Sequence, residues 1–115
     1  MKRADIARRR LVNQHLLRPS LKSAADVVST LGAVQAQEYA GAKWAIGQRA
    51  AGLTDADVDD AMAEGSIIRT HILRPTWHFV TPADIRWMLD LTAPRVRAAM
   101  SHAFRVHELN DAVCA

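Results

Sequence analysis

The pattern of the chain changes character once. From Ser66 to Val80 it is rich in β-branched and aromatic residues and broken only at Arg74-Pro75, whereas the segments on either side carry apolar residues at helical spacing. Such a stretch reads as a β-hairpin, and one hairpin set among helices restricts the chain to a mainly α fold with a single small sheet. Proline disfavours the tightest hairpin turns, so a loop of four residues, Leu73–Thr76, is expected. That register sets Ile72 opposite Trp77, Thr70 opposite Phe79 and His71 opposite His78. Strand alternation then assigns Ile68, Thr70, Ile72, Trp77 and Phe79 to the core face and Arg69, His71, Thr76 and His78 to an outward polar face.

Before the hairpin, the spacing predicts four helices. Asp5 caps a first one running to about Leu17, with Leu11, Val12 and Leu16 on its apolar side and Arg8, Arg9 and Arg10 in its first turns. Arg18-Pro19-Ser20 ends it, because a residue before proline avoids the helical region. Ser23, with Asp26 three residues on, caps a second helix carrying Val27, Val28, Leu31 and Val34. Gly32 and Val34-Gln35-Ala36-Gln37 fit no clear pattern. A third helix is expected over Ala40–Ala51, ended by Gly52, and a fourth from Thr54, with Asp55 and Asp57 in its first turn and Gly65 as its stop. After the hairpin, Thr81-Pro82 with Asp84 marks a strong helix start, with Ile85, Met88 and Leu89 as its stripe. Thr92-Ala93-Pro94 reads as the restart of another helix bearing Arg95, Arg97 and Arg105. The expected division is a winged helix over 1–92 and a C-terminal helix over 93–115 that leads toward a further unit.

Three or four helices followed by a hairpin is the order of a winged helix-turn-helix, a fold that sets one helix in the major groove and the hairpin wing beside the backbone. The charge pattern bears on that reading. Residues 1–22 carry seven positive charges and one negative, residues 54–64 carry five negative charges and none positive, and residues 65–105 carry six arginines and two aspartates. Basic flanks suit a phosphate-facing module, and they equally describe ordinary solvated faces. No apolar run approaches the ~20 residues of a membrane span, and no apolar block follows the basic N-terminus as a secretory signal requires. The single cysteine, Cys114, cannot form an internal disulfide, so a reducing cytoplasm is the expected setting.

More specific are four separated words: Leu31-Gly32-Ala33-Val34-Gln35-Ala36-Gln37-Glu38, Trp44-Ala45-Ile46-Gly47-Gln48-Arg49, Ile68-Arg69-Thr70-His71, and Arg74-Pro75-Thr76-Trp77-His78-Phe79-Val80. In order and approximate spacing they resemble the AlkZ/YcaQ family of winged-helix DNA glycosylases, which remove alkylated bases and unhook interstrand crosslinks. The resemblance covers nearly the whole chain. It implies that Gln35-Ala36-Gln37 is the family's Gln-apolar-Gln catalytic motif. YcaQ-like members carry aspartate at the third position, so Gln37 sets the chain nearer the AlkZ-like branch. The family's members are several winged-helix units long, so the resemblance implies an N-terminal portion, inactive by itself, of a DNA-repair hydrolase associated with the nucleoid and with duplex DNA as its partner.

The chemistry can be weighed apart from the resemblance. Residues i and i+2 diverge on a helix but share a side of an extended segment, so two glutamines can meet at one site only if the helix breaks near Gly32. Base excision leaves positive charge on the sugar, as in glycoside hydrolysis. Amide oxygens can orient water beside that charge but are not strong bases. Glu38 is the nearest carboxylate, ranked below the glutamines. The competing reading makes Gln35 and Gln37 loop amides that satisfy backbone groups, in a non-catalytic winged-helix DNA-binding or regulatory module. A protein-interaction domain is a weaker third. His71 and His78 lack a third ligand, so neither metal nor cofactor is expected. Candidate DNA contacts are Arg8, Arg9, Arg10, Arg69, His71, Arg74, His78, Arg95 and Arg97, and Trp44, Trp77 and Phe79 are expected in the core rather than stacked on bases.

Overall fold

The structure is a computed structural model that describes residues 2–73 and 76–114. Its elements are α1 (Arg3–Asn13), α2 (Ala24–Leu31), β1 (Val34–Gln35), α3 (Tyr39–Gly47), α4 (Asp55–Ala63), β2 (Ile68–His71), β3 (Trp77–Val80), α5 (Pro82–Ala99), α6 (Ser101–Val106) and α7 (Asp111–Cys114). The three strands form one antiparallel sheet in the order β1-β3-β2. Helices α2, α3 and α4 with this sheet make the winged helix that the order of elements predicts, and β1 is the strand that local pattern did not reveal.

The helix starts follow the chemistry of their caps. Ser23 Oγ accepts from the Asp26 N–H at 3.1 Å, and Thr54 and Asp57 form a reciprocal capping box at the start of α4. Helix α2 stops where Gly32 takes a φ of +81°, a conformation open to glycine at little cost. The chain leaves it extended and pairs Val34 with Phe79 and Gln35 with His78.

The core lies on both faces of the sheet. Phe79, fully buried, packs with Val27, Val28, Ile46, Val58 and Ile67. Val80 points the other way and packs with Ile72 and Met88, the latter supplied by α5. This two-sided burial corrects the expected polar face. The register is Ile68↔Val80, Arg69↔Phe79, Thr70↔His78 and His71↔Trp77, one residue away from the prediction, because residues 72–76 connect the strands where a four-residue loop was expected. A one-residue change in pairing brings different cross-strand neighbours together. Arg69, His71, Trp77 and Phe79 therefore share one face, while His78 joins Thr70 on the face that α5 covers. His78 is 3% exposed rather than outward.

Three further expectations change. Helix α5 runs through Thr92-Ala93-Pro94 without a restart. The Thr92 hydroxyl is shared between the carbonyls of Ile72 and Met88, tying the helix to the end of β2. Trp44 is 68% exposed and outside the core. Helix α1 buries none of its residues, so Leu11 and Val12 stay exposed although their spacing is amphipathic. Periodicity defines an apolar side without supplying anything to cover it.

Candidate active site and nucleic-acid interface

The Gln35-Ala36-Gln37 segment alternates as an extended chain must: both glutamines are exposed and Ala36 is fully buried. Every polar backbone group of Ala36 is engaged. Its N–H donates to the Trp77 carbonyl at 2.7 Å, and its carbonyl accepts from Nε and Nη2 of Arg69 at 3.1 and 2.8 Å. One residue on, the ladder continues through a side chain, as the Trp77 N–H donates to Oε1 of Gln37 at 3.2 Å. Because a backbone N–H requires an acceptor, the amide oxygen of Gln37 turns inward and its NH2 group outward. The Gln35 amide makes no hydrogen bond among the described residues.

Both glutamines line one open cavity of about 330 Å³ with Glu38, Gly41, Ala42 and Ala45. Its floor is the first half of α3, made of small residues. Glu38 is the N-cap of that helix: its carboxylate accepts from the Ala40 N–H at 3.2 Å and the Gly41 N–H at 2.6 Å. Asp, Asn, Ser and Thr are the usual caps, which is why glutamate was read only as a candidate base. Tyr39, also missed in the sequence, orders the wall behind the motif. Its ring meets Phe79 edge-on at 6.1 Å, and its hydroxyl donates to Asp59 at 2.7 Å. Asp59 and Asp55 also receive the buried Lys43 ammonium, at 2.9 and 2.8 Å. That pairing raises the lysine pKa, first through the hydrogen bond to Asp55 and then through Asp59, and it holds the Asp59 carboxyl below its ordinary value.

The candidate DNA contacts separate into groups. Arg8, Arg9 and Arg10 are exposed on α1, and Arg95 and Arg97 on α5, where Arg97 lies 3.9 Å from Asp111. His71 is exposed and packs edge-on against Trp77 at 4.2 Å. Arg74 lies outside the described residues. Arg69 and His78 face inward: the Arg69 guanidinium is engaged on Ala36, and His78 is buried. Because His71 and His78 lie on opposite faces of the sheet, they cannot share a metal. Among the described residues no group of three metal-ligating side chains converges, and no helix is long and apolar enough to cross a membrane.

Known proteins now bear on this geometry. The solved structure of Streptomyces sahachiroi DNA glycosylase AlkZ is similar, with a TM-score of 0.59 and 32% sequence identity over 64% of this chain. The chain spans only 20% of that protein's length. Among curated proteins none matches. The family model described as "DNA glycosylase AlkZ-like" matches residues 28–114, which include both glutamines, the cavity beneath them and the hairpin that pins them. With a model match over most of its length and a related fold at that identity, the chain belongs to the AlkZ-like DNA glycosylase family.

Proposed function

We propose that this chain is the part of a DNA glycosylase that carries the base-excision motif, acting on alkylated or crosslinked bases in double-stranded DNA. The observation that supports this most is that Gln35 and Gln37 line one open cavity with a small-residue floor. In N-glycosidic hydrolysis the C1′–N bond breaks with its electron pair going to the base, and water adds to C1′ and loses a proton to solvent. The transition state carries positive charge on the sugar. The unengaged amide of Gln35 can accept from that water and hold it. Gln37, its oxygen already taken by Trp77, offers N–H donors to the water or to the leaving base. Neither amide removes a proton strongly, so the scheme suits a base that alkylation has already made cationic and that leaves neutral.

The charge distribution supports an approach that differs from the usual one. The helix just before the wing, α4, holds Asp55, Asp57, Asp59 and Asp60 and no basic residue. A major groove flanked by phosphates would repel it. The exposed arginines of α1 and α5 supply the phosphate contacts instead, and a nucleoid setting in the cytoplasm follows from the DNA partner.

The test is release of an alkylated purine from duplex DNA by the protein carrying this segment. Gln35→Ala and Gln37→Ala are each expected to slow release by about 10²-fold, the order seen when one preorganised polar group of an active site is removed. Undiminished activity in the double variant overturns the assignment. A second reading has one observation in its favour: the Gln37 oxygen completes the ladder of β3, a purely structural task. On that reading the chain is a non-catalytic DNA-binding or regulatory module, and Gln37→Ala lowers stability while release by the Gln35→Ala variant stays unchanged.

A further inference from the structure

Arg69 holds the carbonyl of the residue that separates the two glutamines. Its Nε and Nη2 both donate to the Ala36 oxygen. The guanidinium carbon lies over two rings, 4.7 Å from the Trp77 centroid and 5.4 Å from that of Tyr39. Tyr39 is itself held by Asp59, and Asp59 by the buried Lys43. On the other side of the same residue, the Ala36 N–H is fixed to the Trp77 carbonyl. The peptide planes before and after Ala36 are thus both tied to the wing. Once those planes are set, so are the directions in which the Gln35 and Gln37 side chains leave the backbone.

We propose that Arg69 is a positioning residue for the glutamine pair, acting through the Ala36 carbonyl, and is not a phosphate contact. The proposal rests on the reading of the glutamines as the excision site, but its geometric part stands without it. Arginine is suited to the task because its planar fork aims two donors at one acceptor while its faces stack on aromatic rings. Lysine keeps the charge but has neither the fork nor the flat face, so Arg69→Lys separates position from charge.

Three readouts on Arg69→Lys and Arg69→Gln test this. First, in ¹⁵N-labelled chain the side-chain NH2 resonances of Gln35 and Gln37, assigned from the single Gln→Ala variants, are expected to shift in both Arg69 variants. Second, kcat for base release is expected to fall at least tenfold with KM for the duplex nearly unchanged. Third, the dependence of log Kd for duplex on log salt is expected to keep its slope. Unmoved glutamine resonances overturn the proposal, as does a salt slope that drops by about 0.9 in Arg69→Gln, the signature of one lost phosphate contact. Should the wild-type protein release no base, the excision reading fails, and the resonances still decide whether Arg69 sets the pair. Arg69→Lys, which keeps the aliphatic stem and the charge, answers the question if Arg69→Gln does not fold.

Discussion

A Cβ on Gly41 would lie 2.5 Å from Oε2 of Glu38, inside any acceptable contact. The present pose of the Glu38 cap, bonded to the Gly41 N–H, therefore depends on residue 41 having no side chain, and an alanine there would push the flexible carboxylate aside. Two effects oppose each other in Gly41→Ala. Alanine in the helix stabilises by roughly 0.5–1 kcal/mol over glycine, and loss of a cap costs about 1 kcal/mol. In the wild-type background the substitution should change stability little. In a Glu38→Ala background the clash is gone, and the same substitution should stabilise by about 0.5–1 kcal/mol. Urea unfolding of the four proteins in this double-mutant cycle checks it, and equal effects of Gly41→Ala in both backgrounds would count against the clash.

The aromatic residues make a sharp contrast. Phe79 is fully buried, whereas Trp44 is mostly exposed. Phe79→Ala should cost about 3–5 kcal/mol, enough to unfold a domain at the low end of ordinary stability. Trp44→Ala should stay within about 0.5 kcal/mol. Chemical denaturation of the two variants distinguishes them, and comparable losses would contradict the packing described.

Stability should fall at both ends of the pH scale for identifiable reasons. Hydrogen bonds from Lys43 and then Tyr39 hold Asp59 below its ordinary 3.8, and the Thr54 hydroxyl and backbone do the same for Asp57. Groups with a depressed pKa contribute stability above their unfolded value and lose it as pH falls through the folded one, so the acid limb begins near pH 4 and deepens below it. The bond to Asp59 raises Tyr39 above 10.0, and Asp55 and Asp59 raise Lys43 above 10.5. These contributions are complete below the unfolded values and are lost as pH rises past 10 through the folded ones. Tyr39 is the single tyrosine, so its ultraviolet absorbance reports its own titration. That midpoint should lie above 10 in the native protein, and Asp59→Asn should bring it down.

For DNA binding, the arginines of α1 are the residues to remove. Each of Arg8, Arg9 and Arg10 that touches a phosphate should reduce the slope of log Kd against log salt by about 0.9 when changed to glutamine. Asp60→Asn on the acidic α4 should leave that slope alone. An unchanged slope in the triple arginine variant removes α1 from the interface.

Much of this architecture was legible where the physics is local. The caps at Ser23 and Thr54, the Thr81-Pro82 helix start and the hairpin all depend on neighbours a few residues away, and all are present. The break at Gly32 also placed both glutamines along one cavity, as their spacing required. What could not be read depends on distant partners. A two-residue strand such as β1 has no periodicity to detect. The hairpin register turned on one residue of loop length, and that single residue put His71 rather than Ile72 opposite Trp77. Arg69 looked like a surface cation because nothing in its surroundings announces a carbonyl 33 residues away as its partner. Trp44 looked like core because its size, and not its helix face, dominated the reading.

The Trp77–Gln37 bond joins residues 40 positions apart. A contact of that span forms only after the intervening loop has closed, while helices of eight or nine residues can flicker in and out on their own. The two glutamine side chains thus acquire a common direction at the moment the hairpin docks, and lose it whenever the hairpin lifts away. A half-folded or nicked copy of the chain would form its short helices only transiently and hold no paired amides at all.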